Sequence, residues 1–421
     1  MELHPVLESG CAPSPNWWYV LSASGEGPSM RVGHSATFVP AVHTNEHDKV
    51  FIIGGANPEQ VFSEVYVLDL HLRSWDTQEA SGFRGRYEHA AFRVENHPGM
   101  LFVFAGATQA GSLNDVQSLD ISTGRWSDVE VAGTPPAPRT HHTSVVIGPK
   151  VYFYSGGHSG PDPVGDRRVH CLDTSTMTWL NIAPLGDPPK PRHGHLMLSC
   201  SSRIFLHGGM SGSTFYDDLH ILDTDRNSWA CVKKKKTFPS PRAAHGGVIH
   251  NKEIYLFGGM NKTGALDDGY KFNTDNNSWT RIEFEKPTPP NRLDFAMCTI
   301  KLRVPVCNTA SQQESQTELK NSSSKASQVL EQQLKPGSAS SRDSVSDCDI
   351  IDEALSNPEV STTAQGQHLN TDHTCCGETS EKDDKERETE EVHLILIHGG
   401  MDTQGEIFDD TLVLLLPTGT Y

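Results

Sequence analysis

The chain has 421 residues, of which 36% are hydrophobic, with 36 Gly, 26 Pro and a formal net charge of -18. So many turn-forming residues favour an all-β fold built from many short strands. The negative charge argues against a nucleic-acid partner, because a phosphate-binding surface must be positive. No apolar run approaches the roughly 20 residues that span a bilayer, and MELHPVLESG lacks the pattern of a signal peptide. We therefore expect a cytoplasmic protein.

Motifs that carry catalytic chemistry are not found in the sequence. Nine cysteines occur without a C-x-x-C pair, which is typical of reduced thiols and does not indicate a disulfide framework or a zinc site. A nucleotide-binding glycine loop, a G-x-S-x-G elbow and an H-E-x-x-H helix are also missing. We therefore predict no catalytic, cofactor-binding or metal-binding residues and no enzymatic activity.

One series of residues recurs five times along the chain. Each copy runs from Arg-x-x-His through an apolar strand with a small-residue doublet at its end, then an acidic residue, then a tryptophan. Successive arginines are 50 to 55 residues apart, and the acidic residue follows the doublet by nine positions. The arginines, including one that opens a sixth copy, are Arg31, Arg86, Arg139, Arg192, Arg242 and Arg292. The doublet glycines are Gly54, Gly55, Gly156, Gly157, Gly208, Gly209, Gly258, Gly259, Gly399 and Gly400, and the tryptophans are Trp75, Trp126, Trp179, Trp229 and Trp279.

A period near 50 residues with a glycine doublet and a distal aromatic residue resembles the kelch repeat, in which each unit is a four-stranded blade of a β-propeller. The chemistry of these positions supports the resemblance. A strand that is covered on both faces is continuously apolar, and glycine permits φ > 0 where any Cβ would collide. A tryptophan on the outer strand can bury its ring between two blades, which stabilises the fold by about 2 to 3 kcal/mol per unit.

The sixth copy is divided by a long insertion. Arg292 begins it, with Phe295 in the histidine position, and LILIHGG at 394–400 resumes it. Asp409 lies nine positions after the second glycine, and Thr420 occupies the position expected for the tryptophan. The sixth copy therefore lacks an outer tryptophan of its own.

Trp18 supplies the missing residue. It precedes Arg31 by thirteen residues, the interval that separates four later tryptophans from the arginine that follows each of them. We therefore predict a six-bladed propeller in which the N-terminal strand completes the last blade and leaves no open edge between the first and last blades.

The insertion has a composition of its own. Residues 308–391 contain no aromatic residue and have 18 Asp/Glu against 7 Lys/Arg. Such a segment cannot offset the roughly 1 to 2 kcal/mol per residue lost on ordering, so we expect disorder. It joins strand ends that lie away from the arginines and should leave the ring at the opposite end. Serines beside acids, as in SSRDSVSDCD, suit an acidophilic kinase, and a plain acidic linker is the alternative.

The predicted organisation has four parts. They are an N-terminal tail at 1–16, five blades with the closing strand and the start of blade 6 at 17–302, the acidic insertion at 303–391, and the remainder of blade 6 at 392–421.

Three sets of polar residues are candidates for function. The six arginines could form a partner-binding rim, or they could pair with blade carboxylates and loop carbonyls. Histidines at one repeated position more often serve the fold than a metal site, which needs unlike ligands. The run from Lys233 to Lys236 is either a solvated loop or a contact for an anionic membrane or an acidic partner. The histidines are His34, His89, His142, His195 and His245.

Several segments resemble one kelch subfamily more closely, the effectors with kelch motifs of the late-endosomal Rab GTPase numbered nine. These segments are PVLE at 5–8, KVFIIGGANP at 49–58, RYEHA at 86–90, RHGH at 192–195, FYDDLH at 215–220, NRLDFAMC at 291–298 and GGMDTQGEIFDD at 399–410. The resemblance implies a monomeric, non-enzymatic adaptor that binds a GTP-loaded Rab and supports vesicle transport from endosomes to the trans-Golgi network. It also implies a phosphoinositide kinase as a further partner and peripheral attachment to those membranes through partners.

Two other classes of kelch protein are alternatives. A substrate receptor of a ubiquitin ligase usually carries BTB and BACK regions ahead of its kelch ring, and seventeen residues precede Trp18, so that role would require a separate scaffold. A kelch enzyme would show turnover and a bound metal. The sequence does not identify the loops that contact a partner.

Overall fold

The computed structural model describes residues 4–78, 80–306 and 388–417. Within these ranges every regular element is a β-strand. The strands form one five-stranded sheet, five four-stranded sheets and four two-stranded hairpins. The larger sheets are the blades of a six-bladed propeller, which confirms the predicted fold class.

Blades 1 to 5 each consist of four antiparallel strands that pair in chain order, numbered here along the chain; in blades 2 to 5 a small hairpin lies between the second and third strands. Blade 1 contains β3 (Ser35–Val39), β4 (Lys49–Ile53), β5 (Val65–Asp69) and β6 (Ser74–Gln78). Blade 2 contains β7 (Ala90–Phe92), β8 (Met100–Phe104), β11 (Val116–Asp120) and β12 (Arg125–Asp128). Blade 3 contains β13 (Ser144–Ile147), β14 (Lys150–Tyr154), β17 (Val169–Asp173) and β18 (Thr178–Ile182). Blades 4 and 5 contain β19 (Leu196–Cys200), β20 (Arg203–His207), β23 (Leu219–Asp223) and β24 (Ser228–Cys231); and β25 (Gly246–His250), β26 (Glu253–Phe257), β29 (Gly269–Asn273) and β30 (Ser278–Ile282).

The core lies between the blades. The first strand of each blade adjoins the first strands of its two neighbours, so these strands surround the axis of the ring. The second strand has four consecutive buried residues in every one of blades 1 to 5, as in Val50–Ile53 of β4. These strands do not show the usual alternation of buried and exposed residues, because a neighbouring blade covers each of their two faces.

Blade 6 combines strands from both ends of the chain. Its order is β1 (Val6–Leu7), β2 (Trp18–Leu21), β33 (Thr411–Leu415), β32 (Thr389–His398) and β31 (Ala296–Pro305). β2 pairs antiparallel with β33, with Trp18 opposite Leu414. This pairing confirms that the N-terminal strand closes the ring. The predicted N-terminal tail also contributes structure, because β1 lies within it and pairs in parallel with β2.

The outer tryptophans lie at equivalent places between blades. Each contacts the residue that precedes the doublet in the blade before it. The ring centroids are separated by 5.1 Å for Trp18 and Phe257, 5.9 Å for Trp75 and His398, 5.0 Å for Trp179 and Phe104, 5.5 Å for Trp229 and Tyr154, and 5.3 Å for Trp279 and His207. Trp126 shares a buried cluster with Ile53, the corresponding residue of blade 1. Trp18 thus holds blade 6 against blade 5 as the other tryptophans hold their own blades.

The hairpin of β31 and β32 is longer than its equivalents. Its strands have ten residues each, whereas those of the other blades have five or fewer. They extend past the predicted boundaries at 302 and 392, and Leu302 and Val304 are buried against the N-terminal segment. Val306 and Glu388, which flank the insertion, lie at the end of this hairpin away from Arg292. The disorder predicted for the insertion at 303–391 is wrong at its two ends, because residues 303–305 lie in β31 and residues 389–391 lie in β32. The rest of the prediction, over residues 307–387, falls outside the described residues.

The doublets link consecutive blades around the whole ring. The N–H of the second residue donates to the carbonyl of the arginine in the next blade, and that residue has φ between +86° and +115° in all six blades. The six bonds run from Gly55 to Arg86 (2.9 Å), Gly106 to Arg139 (3.0 Å), Gly156 to Arg192 (2.9 Å), Gly209 to Arg242 (2.8 Å), Gly259 to Arg292 (2.9 Å) and Gly400 to Arg31 (3.0 Å). These bonds close the ring between blades 6 and 1 as well.

Two predicted positions are shifted by one residue. In blade 3 the residue that donates to Arg192 is Gly156, so the doublet is Ser155–Gly156, and Gly157 instead begins strand β15 (Gly157–Ser159). In blade 6 the carboxylate that pairs with the arginine is Asp410, while Asp409 is exposed. In both blades the loop from the doublet to the acidic residue is one residue longer than a fixed spacing of nine allows.

The second doublet position should accept only glycine. A Cβ on Gly209 would lie 2.8 Å from His195 Cβ and 2.9 Å from the His193 oxygen, at φ +91°. We expect Gly209→Ala to lower the free energy of unfolding by about 2 to 4 kcal/mol. Gly212→Ala is the matched control, because Gly212 also has positive φ but has no atom within 4 Å of its Cβ position. Equal losses in denaturant melts of the two variants would contradict this prediction.

Candidate partner-binding face

One end of the ring, which we call the arginine end, is built from two sets of loops. One set leads into the arginines and the other follows the doublets. In blades 2 to 5 the second set forms small hairpins, whose strands are β9 (Ala107–Thr108), β10 (Gly111–Ser112), β15 (Gly157–Ser159), β16 (Asp162–Pro163), β21 (Met210–Ser211), β22 (Thr214–Phe215), β27 (Met260–Asn261) and β28 (Gly264–Ala265). In blades 1 and 6 single bridges, Ala56–Val61 and Met401–Ile407, take their place. Six loops therefore surround the axis at this end.

The six arginines lie inside the blades. All six residues are completely buried, and the Arg192 side chain is only 1% exposed. In every blade the guanidinium Nη1 donates to the carbonyl of the first doublet residue. The distances are 3.0 Å from Arg31 to Gly54, 2.9 Å from Arg86 to Ala105, 2.8 Å from Arg139 to Ser155, 2.8 Å from Arg192 to Gly208, 3.0 Å from Arg242 to Gly258 and 3.2 Å from Arg292 to Gly399.

A carboxylate completes the arginine site in blades 2 to 6. The shortest nitrogen to oxygen distances are 2.8 Å for Arg86 and Asp115, 3.3 Å for Arg139 and Asp166, 2.6 Å for Arg192 and Asp218, 2.7 Å for Arg242 and Asp268, and 2.7 Å for Arg292 and Asp410. Although burial raises the pKa of Asp218, hydrogen bonds from His220 and Arg192 outweigh it and hold that pKa well below its usual range. Each pair joins a buried guanidinium to a carboxylate that is 17% to 31% exposed, so the arginine charge is compensated inside the blade.

Blade 1 is an exception. The guanidinium carbon of Arg31 lies 4.0 Å from the Phe62 ring centroid and 5.1 Å from that of Tyr66. Burial lowers the pKa of Arg31 to about 10, partly offset by Tyr66 and Glu64, so the side chain stays charged at neutral pH. Arg31 Nη2 donates to Ser29 Oγ at 3.2 Å, and the Phe62 ring covers the guanidinium as the rings of Tyr216 and Phe408 cover those of Arg192 and Arg292.

The arginines are therefore not available as a rim. Their guanidinium groups already bind carbonyls and, in five blades, carboxylates, and a partner cannot reach them without opening a blade. The alternative interpretation, pairing within the blade, describes what the structure shows. Contact with a partner at this end falls to the loops that the arginines hold in place.

The residue that follows the arginine by two positions forms a ring around the axis. All six have left-handed φ between +42° and +62°, although four of them are not glycine. Backbone bonds between neighbouring blades connect them. These bonds run from Gly33 N–H to Asp294 O (3.3 Å), Glu88 to Gly33 (2.6 Å), Gly194 to His141 (2.9 Å), Ala244 to Gly194 (2.8 Å) and Asp294 to Ala244 (3.1 Å). Five of the six junctions have such a backbone bond, and at the sixth the side chains of Glu88 and His141 pair instead. Four non-glycine residues with left-handed φ, each tied to its neighbours, indicate a constrained backbone at the axis.

Three charged side chains of this ring meet across the axis. His141 Nδ1 lies 2.7 Å from Glu88 Oε2, and His141 Nε2 lies 3.9 Å from Asp294 Oδ2. Burial alone would lower the pKa of His141, but Glu88 and Asp294 outweigh it and raise that pKa well above its usual value. His141 is therefore protonated at neutral pH and joins blade 3 to blades 2 and 6. The ring has only Gly33, Gly194 and Ala244 in the other three blades, so the His141 side chain links two neighbouring blades to the blade opposite its own.

The repeated histidines form contacts between blades. His34 Nε2 lies 3.1 Å from His398 O, His89 Nε2 lies 2.9 Å from Ser35 Oγ, and Phe295 makes the corresponding contact with Phe257 in blade 6. These contacts agree with a structural role. In the ranges 4–78, 80–306 and 388–417, no group of three or more His, Cys, Asp or Glu has an arrangement that could hold a metal ion.

None of the described residues forms a helix that is long and apolar enough to cross a membrane.

Comparison with known proteins identifies the repeats. The family model for the KLHDC2/KLHL20/DRC7 Kelch-repeats domain matches residues 40–259 and 166–307. Proteins called Rab9 effector protein with kelch motifs are 44% identical over 220 residues in Homo sapiens and in Mus musculus, and 41% identical over 230 residues in Danio rerio. Each match covers 52% of this chain, and 59%, 58% and 66% of the respective relative. The chain therefore spans about three fifths of the length of the two mammalian relatives. With its family match over more than half of the chain, this protein belongs to the KLHDC2/KLHL20/DRC7 Kelch-repeats family.

Proposed function

We propose that this protein is a non-enzymatic adaptor that binds a GTP-loaded Rab GTPase. The observation that carries the proposal is the 44% identity over 220 residues to proteins named Rab9 effector protein with kelch motifs. The fold supports it, because a rigid ring with loops at one end is suited to recognition.

The arginine end is the proposed contact surface. Its loops are held by buried arginines and by the bonds that link the doublets to the next blade. Loops fixed in this way lose little conformational entropy on binding. A GTPase presents ordered switch segments only while its γ-phosphate is in place, so a rigid surface complementary to those segments distinguishes the GTP state from the GDP state.

Further features of the proposal rest on the subfamily resemblance seen in the sequence. The adaptor would support vesicle transport between endosomes and the trans-Golgi network and would be attached to those membranes through its partners. A phosphoinositide kinase as a second partner and a monomeric state are parts of this proposal that binding and light-scattering experiments can test separately.

The experiment is a pull-down of the full chain against a panel of Rab GTPases in GTP-like and GDP states. We expect one Rab, or a small group, to be captured only in the GTP-like state. Equal capture in both states, or capture of none, would overturn the proposal. Turnover with a bound metal would instead support a kelch enzyme, and capture by a ubiquitin-ligase scaffold would support a substrate receptor.

A second set of variants locates the surface. Arginine is introduced singly at an exposed loop tip of each blade, namely at Gln60, Gln109, Asp162, Thr214, Thr263 and Gln404. We expect at least one variant to weaken binding of the GTP-like Rab by tenfold or more, about 1.4 kcal/mol or above. Arginine at Thr123, Ser175 and Asp225, exposed residues in turns at the other end, is the control. Losses confined to the control variants would place the contact away from the arginine end.

A further inference from the structure

The run of lysines that follows β24 lies in a loop with fixed ends. Lys233 to Lys236 are all exposed. At one end of the loop the Val232 N–H donates to Leu219 O at 2.8 Å, and at the other end Phe238 packs on Trp279 with 6.1 Å between ring centroids. The lysines are therefore presented at a defined place between blades 4 and 5.

Other cations lie beside this run. Lys235 Nζ donates to Asn276 O at 2.9 Å, and Arg203 Nη1 donates to Thr274 O at 3.1 Å, so both reach the turn after β29. Lys252 pairs with Asp275 of the same turn at 3.5 Å, and Lys252 and Asp275 are 65% and 62% exposed. We call these residues the basic patch: Lys233, Lys234, Lys235, Lys236, Arg203 and Lys252.

The patch keeps much of its charge free. Lys234 contacts Asp217 and lies 5.9 Å from the Phe238 centroid, but its side chain is still 54% exposed. Lys233 and Lys236 form no salt bridge in the described part of the chain. The patch therefore projects positive charge from a chain whose net charge is -18.

We propose that the basic patch binds the surface of a membrane that contains anionic lipids. Its exposed groups are lysine ammonium ions, which act as separate point charges without the fork that recognises single carboxylates. They project from an exposed loop and turn between the blades. A flat, diffusely charged surface fits this arrangement better than an acidic peptide, which would need paired donors along its length.

The attraction is weak when it acts alone. Each exposed lysine near an anionic membrane raises partitioning by about fivefold. Combined with a membrane-anchored GTPase it would raise the effective concentration of the adaptor at that membrane. This last consequence rests on the proposed function, whereas binding of the patch to lipid does not.

The test is co-sedimentation of the full chain with phosphatidylcholine vesicles, with and without phosphatidylserine and without any GTPase. We expect binding that requires phosphatidylserine and declines as salt is added. The combined variant Lys233→Gln, Lys234→Gln, Lys235→Gln and Lys236→Gln should reduce the partition coefficient at least about tenfold, because all four lysines are exposed and three of them form no salt bridge with a described residue.

A matched variant controls for net charge. Arg125→Gln, Arg168→Gln, Lys190→Gln and Lys262→Gln also remove four exposed charges, but these residues belong to loops and strands spread over several blades. We expect it to bind anionic vesicles like the unchanged chain. Equal loss in both variants, no loss in the patch variant, or binding to polyglutamate without binding to vesicles would overturn the proposal. Capture of a Rab in vesicle-free solution is a separate measurement and is expected to be unchanged in the patch variant.

Discussion

Replacing Trp18 by alanine is expected to lower the free energy of unfolding by about 3 to 5 kcal/mol. The ring of Trp18 has no exposed surface and packs on Phe257 and Phe284 of blade 5, with centroids 5.1 Å and 5.8 Å away. Its loss leaves a cavity beside β2, the N-terminal strand that pairs with β33 from the other end of the chain. Denaturant unfolding followed by both fluorescence and circular dichroism measures the change.

Trp75 provides the control for this prediction. It occupies the same position on the outer strand of blade 1 but is only half-buried. Trp75→Ala should therefore lower the free energy of unfolding by less than Trp18→Ala does. Trp18→Phe should restore much of the loss, since an aromatic ring still fills the space. A change of less than about 1 kcal/mol in Trp18→Ala would contradict the assignment of Trp18 as the residue that closes the ring.

Acid should destabilise the protein well before its carboxylates titrate. Burial lowers the pKa of His193 to about 4, lowers that of His250, and lowers that of seven further histidines, to about 3 in four of these seven. Between the usual pKa of about 6.5 and these values the unfolded chain binds protons that the folded chain does not, so stability falls as pH decreases. Each histidine contributes about 1.4 kcal/mol per pH unit in this range. The seven are His34, His89, His142, His195, His207, His245 and His398.

His141 changes the pH dependence of stability in the opposite direction, because its pKa is raised in the folded protein. Its stabilisation is present below the usual histidine pKa and is lost as pH rises through the folded value. One such group cannot offset seven, and the lowered pKa values of Asp115, Asp166 and Asp218, where burial is outweighed by hydrogen bonds, add a further loss at lower pH. The net free energy of unfolding should therefore decrease from pH 7 to pH 5.

His142→Phe tests this account at a single site. Phe295 already fills the equivalent position of blade 6, and neither ring nitrogen of His142 makes a hydrogen bond of good geometry to a described residue. Phe104 and Phe153 surround the ring. Relative to the unchanged chain, the variant should gain about 2 kcal/mol more stability at pH 5 than at pH 8. His43→Gln, at an exposed histidine, is the control, and an equal gain there would contradict the prediction.

The sequence predicts this fold well because each copy of the repeat places the same kinds of residue at the same intervals, so each copy forms the same blade. The interval between Trp18 and Arg31 identifies the closing strand without any structure, and β2 lies where that interval places it. The fixed spacing of nine gives the wrong residue in two blades. It selects Gly157 where Gly156 donates to Arg192, and Asp409 where Asp410 pairs with Arg292, because the loop from the doublet to the acidic residue is one residue longer. Loop length tolerates such changes because these loops lie at the surface.

The axial cluster could not be identified from the repeat signature. Glu88, His141 and Asp294 occupy the variable position between the arginine and the histidine, where the other three copies have glycine or alanine. The one available signal for this cluster was the presence of charged residues at a position where the other copies have small residues. Their meeting across the axis depends on ring geometry, which brings blades 3 and 6 together although 153 residues separate His141 from Asp294.

The orientation of the arginine side chains could not be predicted from the sequence. Their presence at each strand entrance is visible in the sequence, but whether a guanidinium faces a partner or its own blade depends on carbonyls that only the folded doublet presents.

The pairing of β2 with β33 also affects how the chain matures during synthesis. Trp18 is made 396 residues before its partner Leu414, and blades 1 to 5 are synthesised between them. At typical translation rates this takes roughly 20 to 80 seconds. Throughout that interval the nascent β2 and, once it is made, the Phe257 face of blade 5 remain uncovered. Chaperone dependence should therefore be concentrated on these two apolar surfaces until β33 leaves the ribosome.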